Sequence, residues 1–212
     1  MRRPYPDRAA AGRALAEELG EVGGSVVVLG LARGGVPVAA PIADALSAEL
    51  DVLIVRKLGL PGQPELAMGA IAGVGSETYL VRNEPVLKGV DEWELEEVRE
   101  REVRELRRRE QAYRGDRPPL DVCDRVVILV DDGLATGSTM RAAVEAVRRQ
   151  RPARVIVAVP VGGDEGCRLL STIVDQVVCP WIPRNYAAVG QAYRNFRPVE
   201  DDEVRRVLAG RT

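Results

Sequence analysis

Apolar and polar residues alternate along the chain in blocks that predict strands and helices in turn. Four short apolar runs are typical of strands buried on both faces of a parallel sheet. These runs are Val26 to Leu31, Val52 to Val55, Arg125 to Val130 and Val155 to Val161. Residues with helical spacing lie in the ranges 7–20, 36–48, 91–112, 138–150, 164–172 and 201–209. The alternation predicts an α/β fold in which helices flank a mostly parallel central sheet.

Two segments add less regular elements to this plan. Residues 65–83 alternate and contain turn residues, which predicts a hairpin or an extended arm. Residues 91–112 predict one long charged helix whose apolar residues form only a narrow stripe. A last short strand is predicted at Val177 to Cys179. The length of the chain, residues 1–212, predicts a single domain.

Composition narrows the classes of function. The formal net charge is −2, which provides no basic field for a nucleic-acid partner. The chain has no histidine, which excludes Ser-His and Cys-His catalytic groups and histidine-rich zinc sites. Cys123, Cys167 and Cys179 are odd in number and widely spaced, so we interpret them as reduced thiols.

Nothing in the sequence predicts contact with a membrane. No apolar run approaches the ~20 residues that a membrane span needs. The segment MRRPYPDRAAAG carries charge without an apolar region after it, so no signal peptide is expected. Together with the reduced cysteines, these features predict a cytoplasmic protein.

The candidate chemistry is concentrated in segments that directly follow predicted strands. In open α/β sheets, ligands bind beyond the carboxyl ends of the strands. The four segments are Ala32-Arg33-Gly34-Gly35, Arg56 to Gly62, Asp131 to Thr139 and Pro180 to Tyr186. Glycines, cations and acids therefore gather at one edge of the sheet, which indicates a binding site there.

Residues 133–139 have small and hydroxyl side chains and lead into a predicted helix. Backbone N–H groups at a helix start are unpaired and carry partial positive charge, so this loop is predicted to bind a phosphate. Its residues are Gly133, Leu134, Ala135, Thr136, Gly137, Ser138 and Thr139. The alternative is an ordinary helix start that Ser138 or Thr139 caps. No lysine follows the second glycine, so the loop is not a Walker A element.

Asp131 and Asp132 stand between a buried strand and this loop. Neighbouring carboxylates suit the two hydroxyls of a ribose, and near a diphosphate they can hold Mg²⁺ directly or through water. The groups predicted to hold a diphosphate are Ala32, Arg33, Gly34, Gly35, Arg56 and Lys57. The sequence therefore predicts subsites for phosphate, ribose and diphosphate, in that order, across one edge.

These motifs resemble those of the type I phosphoribosyltransferases, which use 5-phosphoribosyl-1-diphosphate (PRPP). Asp131-Asp132 with residues 136–139 is similar to the PRPP motif, and residues 32–35 are similar to the diphosphate loop of the family. Residues 56–62 resemble the purine members, especially the adenine members. Residues 179–200 resemble the hood that holds the base. The resemblance covers roughly residues 24–200.

The resemblance implies an enzyme that transfers ribose 5-phosphate from PRPP to a nitrogenous base and releases diphosphate. It implies Mg²⁺ as cofactor, a purine as the favoured base, and a homodimer. The residues expected in catalysis are Asp131, Asp132, Arg33 and Lys57, and those expected at the base are Val178 and Trp181. The expected partners are thus PRPP, diphosphate and a small heterocyclic base, without nucleic acid or membrane.

The sequence departs from the family pattern in two places. Leu60 stands where the adenine-type loop usually carries a lysine. The charged helix forms an insertion of about residues 89–115 relative to small members. One interpretation is a solvated surface helix packed along its apolar stripe. The other is a lid or dimer arm that ends at Tyr113 and Arg114 and brings a cation over the active site.

Two other functions are compatible with the same pocket. A regulatory protein could bind PRPP or a nucleotide in order to sense it, without turnover. A hydrolase or phosphorylase of nucleoside monophosphates could share the phosphate and ribose subsites. The sequence leaves these alternatives open.

Overall fold

A seven-stranded sheet forms the centre of the protein. The computed structural model describes residues 4–210 of the chain. The strands are β1 Val26–Leu31, β2 Glu49–Leu60, β3 Gln63–Val74, β4 Glu77–Arg82, β5 Val126–Val130, β6 Arg154–Ala158 and β7 Gln176–Val178. Their order across the sheet is β4-β3-β2-β1-β5-β6-β7. The predicted α/β class, with a mostly parallel sheet, is confirmed.

Five of the strands run parallel to one another. These are β2, β1, β5, β6 and β7. Every residue of β1 and β5 is buried, which explains why both were visible in the sequence as unbroken apolar runs. Because these strands share one direction, the segments after β1, β5, β6 and β7 all emerge at the same edge of the sheet.

Helices cover both faces of the sheet. They are α1 Arg8–Leu19, α2 Gly35–Ala45, α3 Glu84–Leu87, α4 Glu92–Arg114, α5 Ser138–Arg149, α6 Asp164–Ser171 and α7 Asp201–Ala209. The apolar residues of α1, α2, α4 and α7 share one core cluster, and those of α5 and α6 share the other. Among residues 4–210, no helix combines the length and apolar character needed to cross a membrane.

Strand β2 is longer than its apolar run predicted. The run ends at Val55, but the strand continues to Leu60 and turns into β3, with which it pairs antiparallel. The extension alternates, because Leu58 is fully buried whereas Lys57 is exposed. Within residues 65–83, β3 pairs antiparallel with β4 and forms the predicted hairpin. Residues 56–62, which were expected to form a loop, are mostly strand.

The long charged helix is part of the core on one face of the sheet. Its buried residues recur at helical spacing, and they are Leu95, Val98, Glu102, Leu106, Tyr113 and Arg114. Asp91 and Glu94 form a capping box at its start. The interpretation of a helix packed along its apolar stripe therefore describes α4, whereas a projecting arm does not.

The hood is joined to the segment that precedes α1. The backbone N–H of Tyr5 donates to Ala192 at 2.8 Å, and the N–H of Arg194 donates to Tyr5 at 2.8 Å. A 3-10 helix, Val189–Ala192, lies within the hood. Tyr5 and Tyr193 are buried in an aromatic cluster with Trp181 and other hood residues. Residues almost at opposite ends of the described chain therefore hold this edge together.

Candidate active site

The acid pair lies where β5 ends, at the carboxyl edge of the sheet. The turn that follows β1 packs directly against it. A β-carbon at Gly34 would overlap the carboxylate of Asp132, and one at Gly35 would lie 2.9 Å from Cα of Asp131. Only glycine permits this close approach. The structure thus brings the residues after β1 and β5 together, as the sequence predicted.

Asp132 has a cationic partner that the sequence analysis missed. Arg8, the first residue of α1, donates from Nε to Oδ2 of Asp132 at 2.8 Å, and its second terminal nitrogen lies 2.8 Å from the same oxygen. Tyr193 also reaches Asp132, because its hydroxyl donates to the Asp132 carbonyl at 2.6 Å. Arg8 lies 124 positions from Asp132, so no local sequence signal could have linked the two.

Both acids have raised pKa values. Burial, followed by the neighbouring charge of Asp132, raises the pKa of Asp131 well above its usual range. Burial also raises the pKa of Asp132, while the charge and hydrogen bond of Arg8 act in the opposite direction. Raised values in a pair of carboxylates at a sheet edge are typical of functional sites.

The loop after the acid pair leaves the start of α5 without a side-chain cap. Gly137 is the N-cap residue, with a φ of 79° that favours glycine, and no side chain caps it. The alternative in which Ser138 or Thr139 caps the helix is therefore wrong. The hydroxyls of Thr136 and Ser138 are exposed and hydrogen-bond to each other at 3.1 Å, and Oγ1 of Thr136 accepts from the N–H of Ser138 at 3.5 Å. This helix start can accept an anion on unpaired N–H groups and hydroxyls.

One residue of the predicted phosphate loop has a structural role. Leu134 is buried, and its N–H donates to the Val161 carbonyl at 2.9 Å. Its own carbonyl accepts from Gly163 at 2.9 Å. These bonds extend the pairing of the two neighbouring strands beyond β5 and β6. The N–H of Leu134 is consequently not available to a phosphate.

Arg33, which we predicted to bind a diphosphate, lies in the turn against the acid pair and contacts the start of α7. Its guanidinium is 3.5 Å from Asp201 and 4.0 Å from Glu200, with a side chain that is 40% exposed. The hydroxyl of Tyr113 donates to Asp201 at 2.7 Å. The Ala32–Arg33 peptide bond is cis. Arg33 is thus at the predicted edge and in reach of solvent.

Arg56 and Lys57 point to opposite faces of β2, because side chains alternate along a strand. Arg56 forms an ion pair with Glu102 of α4, with Nε 2.8 Å from the carboxylate. Lys57 lines a cavity of about 320 Å³ on the other face, together with Thr136, Ser138 and Arg141. The two residues do not converge on one anion, and the expectation that Arg56 binds diphosphate conflicts with its pairing to Glu102.

The predicted lid residues do not cover the site. Arg114 is buried and donates from Nε to both oxygens of Asp51 at 2.9 and 3.0 Å. Asp51 lies six residues before Lys57 on β2, or about 20 Å along the strand. Tyr113 is also buried and contacts Asp201, and burial with that hydrogen bond raises the pKa of Tyr113 to about 12. The expectation that Arg114 brings a cation over the active site is therefore wrong.

The two predicted base-binding residues have other contacts. The carbonyl of Val178 accepts from Val159 at 3.0 Å, and that of Trp181 accepts from Gly162 at 3.1 Å. The ring of Trp181 packs edge-on against Tyr5, with centroids 6.4 Å apart. Both carbonyls therefore serve the sheet edge, and the Trp181 ring packs in the joint between hood and core.

An open cleft of about 1220 Å³ lies between the phosphate loop and the hood. Its lining includes Ala135, Thr136, Gly163, Leu169, Ile182, Pro183, Arg184 and Tyr186. The ring of Tyr186 lies over Gly163, 3.4 Å from where a β-carbon would be. Its hydroxyl is buried without a hydrogen-bond partner among the described residues. Burial, with the nearby charges of Cys179 and Asp132, raises the pKa of Tyr186 to about 12.

The cysteines are all free thiols, as the sequence analysis expected. Cys167 of α6 is buried, and both its sulfur and that of Cys179 lie against Gly162. A hydrogen bond with Cys179 lowers the pKa of Cys167. These two thiols pack beneath the cleft.

The donor set suits Mg²⁺ only when a ligand completes the coordination. Among residues 4–210 there is no cluster of three or more acidic, cysteine or histidine side chains. Asp131 and Asp132 provide hard carboxylate oxygens, and one oxygen of each already accepts a hydrogen bond. Mg²⁺ typically binds one or two carboxylates together with substrate phosphates and water. The residues present therefore fit an ion that arrives with a diphosphate.

Comparison with known proteins identifies the family of the chain. A model of the phosphoribosyl transferase domain matches residues 5–190. A crystal structure of a Thermus thermophilus protein superimposes with a TM-score of 0.84 at 43% sequence identity, covering 100% of this chain and 99% of that chain. The chain therefore belongs to the phosphoribosyl transferase family, and the resemblance predicted from its motifs is confirmed.

Two curated relatives extend the comparison. A Mycobacterium tuberculosis protein, provisionally named a phosphoribosyl transferase, is 45% identical over 203 residues, which are 94% of this chain and 45% of the relative. The bifunctional protein PyrR of Clostridium acetobutylicum is 33% identical over 153 residues, which are 72% of this chain and 65% of the relative. The chain thus spans about half the length of the mycobacterial relative.

Proposed function

We propose that the protein is a Mg²⁺-dependent phosphoribosyltransferase that moves ribose 5-phosphate from PRPP to a nitrogenous base and releases diphosphate. One observation carries the proposal. The Ala32–Gly35 turn packs against the carboxylate of Asp132, so that a cation, two acids and an uncapped helix start share one edge. Family membership supports the same reaction.

The ligand subsites follow from the charges along this edge. The 5-phosphate would bind the exposed residues Thr136 and Ser138 and the N–H groups at the start of α5, where the N-cap residue has no capping side chain. The ribose hydroxyls would donate to Asp131 and Asp132. Arg33 would contact the diphosphate from the turn after β1. Lys57, which lines a cavity with Thr136 and Ser138, is close enough to the loop to contribute a second cation.

The reaction needs charge stabilisation more than covalent chemistry. As the bond from C1 to the diphosphate oxygen breaks, the electron pair leaves with diphosphate and the ribose gains positive charge. The carboxylates beneath the ribose favour that positive charge, and Arg33 favours the departing anion. Lys57, which we expected at the diphosphate, lies instead beside the candidate 5-phosphate loop. The nitrogen of the base then attacks C1 and forms the new bond.

Mg²⁺ would be held by Asp131 and Asp132, directly or through water, together with the substrate. When bound, it neutralises charge on the diphosphate. The acceptor proton has no histidine to receive it in this chain. It would pass to a carboxylate, to water or to the released diphosphate. Burial raises the pKa of Asp131, which makes it a better proton acceptor than an ordinary carboxylate.

The acceptor base would bind in the cleft between the phosphate loop and the hood. Tyr186 lines the cleft with its aromatic ring, which lies over Gly163. Ile182 and Pro183 supply apolar walls. We assign the base to these residues in place of Val178 and Trp181. A purine remains the expected acceptor because residues 56–62 resemble the purine members. A homodimer and a cytoplasmic location also remain predictions.

The test is product analysis with PRPP, Mg²⁺ and a panel of purine and pyrimidine bases, read by chromatography and phosphorus NMR. We expect one nucleotide and one diphosphate for each PRPP consumed, with at least one base. Binding of PRPP without nucleotide formation from any base would instead identify a sensing protein. Without diphosphate, release of the base and ribose 5-phosphate from a nucleoside monophosphate would identify a hydrolase. Release of the base and ribose 1,5-bisphosphate in the presence of phosphate would identify a phosphorylase.

A further inference from the structure

Arg8 is built into the candidate site as a fixed element. Its guanidinium contacts Asp132 through two nitrogens, and its third nitrogen donates to the carbonyl of Arg197 at 2.8 Å. The carbon of the guanidinium lies 4.1 Å from the ring centroid of Phe196 and 5.9 Å from that of Tyr193. Only 11% of the side chain is exposed. Contacts on its edge and face thus hold the cation in one orientation.

The carboxylate of Asp132 is held asymmetrically. Both contacts from Arg8 reach Oδ2. The backbone of Gly34 lies against the same oxygen so closely that a β-carbon would overlap it. Within residues 4–210, no hydrogen bond from another residue to Oδ1 accompanies these contacts. Oδ2 therefore lies between Arg8 and Gly34, whereas Oδ1 can still accept hydrogen bonds.

We propose that Arg8 is a positioning residue that fixes Oδ2 of Asp132, so that Oδ1 is presented to the ribose hydroxyls of PRPP. The proposal rests on the proposed function for its ligand, but the orientation of the carboxylate is a property of the protein alone. A buried carboxylate without a cation would rotate, protonate or draw in water. The pairing with Arg8 removes these alternatives before the ligand arrives.

Arg8 acts through Asp132, not on the ligand. Each of its three guanidinium nitrogens already has a protein partner, and one face of the group is covered by Phe196. Lysine could not replace Arg8. An ammonium group lacks the planar pair of N–H donors that contacts the carboxylate, and it does not stack flat on the Phe196 ring. The effect of losing Arg8 should therefore vanish when Asp132 is already changed.

The experiment is a double-mutant cycle with Arg8→Met, Asp132→Asn and the combined variant. PRPP affinity is measured by titration calorimetry, with Mg²⁺ present. We expect Arg8→Met to weaken PRPP binding about 10-fold to 100-fold, the loss typical when a residue that orients a ligand-binding group is removed. The combined variant should bind no worse than Asp132→Asn alone. Additive losses would overturn the proposal, because Arg8 would then act independently of Asp132.

Two further variants test charge and fold. Arg13→Met removes an exposed arginine of the same helix and should leave PRPP affinity unchanged. Arg8→Lys keeps the charge without the fork, and we expect it to bind PRPP nearly as weakly as Arg8→Met. Full recovery of affinity in Arg8→Lys would overturn a positioning role, since charge alone would then suffice.

A crystal structure of Arg8→Met without ligand separates this proposal from the proposed function. We expect the Asp132 carboxylate to rotate away from Gly34. An unchanged carboxylate would overturn the positioning role, whatever PRPP does. If the unmodified protein instead binds PRPP but forms no nucleotide, the transferase proposal fails while the cycle still decides the role of Arg8.

Discussion

Two arginine–aspartate pairs in this protein, one buried and one largely buried, differ in how many of their polar atoms have hydrogen-bond partners. Arg114 and Asp51 have side chains that are each 8% exposed, and Arg8 and Asp132 are 11% and 14% exposed. Asp51 accepts on both oxygens from Arg114, and also from the backbone N–H groups of Val52 at 2.7 Å and Leu120 at 3.2 Å. Asp132 accepts from Arg8 on one oxygen only.

The polar and charged neighbours of the two pairs also differ. Arg114 has further partners in Glu110 and in the carbonyl of Val52. Each aspartate has another acid nearby whose pKa it helps to raise, Glu110 near Asp51 and Asp131 beside Asp132. Glu110 shares the arginine of its pair, whereas Asp131 accepts from the backbone N–H of Asp132. Burial alone therefore does not distinguish a structural ion pair from a functional one. The distinguishing feature is acceptor capacity left open on Asp132, which a ligand or metal ion can use.

The largest expected effect is on the stability of the protein, at the Arg114–Asp51 pair, whose polar atoms all have partners. Arg114→Met leaves Asp51 and Glu110 buried without their cation, so we expect the free energy of unfolding to fall by about 3–5 kcal/mol. Urea denaturation measures this change. Arg8→Met should cost less than half as much, because Asp132 lies at the edge of an open site and can be hydrated or protonated. Equal losses in the two variants would remove the distinction between the pairs.

The second expected effect is on the turnover number, at the Arg8–Asp132 pair, where one carboxylate oxygen can still accept. Asp132→Asn keeps the volume of the side chain but removes the charge that favours the ribose cation. We expect the turnover number to fall about 10²-fold or more, with the melting temperature little changed. Steady-state kinetics and a thermal melt measure the two quantities. An Asp132→Asn protein with nearly normal turnover would contradict the assignment of the ribose to this acid.

The comparison extends to hydroxyls, because the exposed hydroxyl of Thr136 bonds to Ser138 of the same loop and is in reach of a ligand. Thr136→Val removes an exposed hydroxyl from the candidate phosphate loop. It should weaken PRPP and 5′-monophosphate binding by roughly 1–3 kcal/mol, the value of one charge-assisted hydrogen bond. Free diphosphate should bind almost as before. Titration calorimetry with all three ligands tests this.

Thr172→Val is the matched control for that loop. The hydroxyl of Thr172 already donates to the Leu169 carbonyl at 2.7 Å, at the end of α6. This variant should leave the affinities for all three ligands unchanged. If Thr136→Val weakened diphosphate and 5′-monophosphate equally, the loop would hold the other end of PRPP.

The smallest effect is the dependence of stability on pH. The raised pKa of Asp131 means that, above its ordinary pKa of about 4, the folded state holds a proton that the unfolded state has lost. The free energy of unfolding therefore falls as pH rises through that window. Asp131→Asn should flatten this slope and be more stable than the unmodified protein at pH 7. Asp116→Asn, at an exposed acid, should behave as the unmodified protein does. A slope unchanged by Asp131→Asn would show that the carboxyl is not strained in the folded state.

Sequence patterns predicted most of the fold because burial on both faces leaves unbroken apolar runs. Strand β1 was predicted with its observed ends. The second half of β2 was missed because it alternates in a hairpin, so that its polar residues resembled a loop. The helix α4 was predicted, but its burial of Glu102 and Arg114 was not. The sequence does not show which partner neutralises a charged residue, so it does not show that the residue is buried.

The candidate site was predictable where it is local in sequence. The acids and the phosphate loop lie within nine consecutive residues, and the turn after β1 is four residues long, so position after a strand was enough to find them. Arg8 was missed because its contacts depend on chain segments far from the motifs. Tyr186 lay within a predicted segment, but its packing over Gly163 gave no signal that would select it there over Trp181. Arg56 and Lys57 were assigned together because a loop was expected, whereas in a strand neighbouring side chains face opposite ways.

The contacts that hold Arg8 also determine when the site can be completed during synthesis of the chain. Arg8 and Arg197 are 189 positions apart, yet Arg197 and Phe196 help to hold the guanidinium. A ribosome adds about 5–20 residues per second. Asp132 therefore leaves the ribosome before the residues that fix its cation have been made, and Arg8 waits roughly 10–40 s for them at that rate. The nascent chain carries an acid pair without its fixed counter-ion for part of this interval, and the site reaches its final electrostatic state only once residue 197 has emerged.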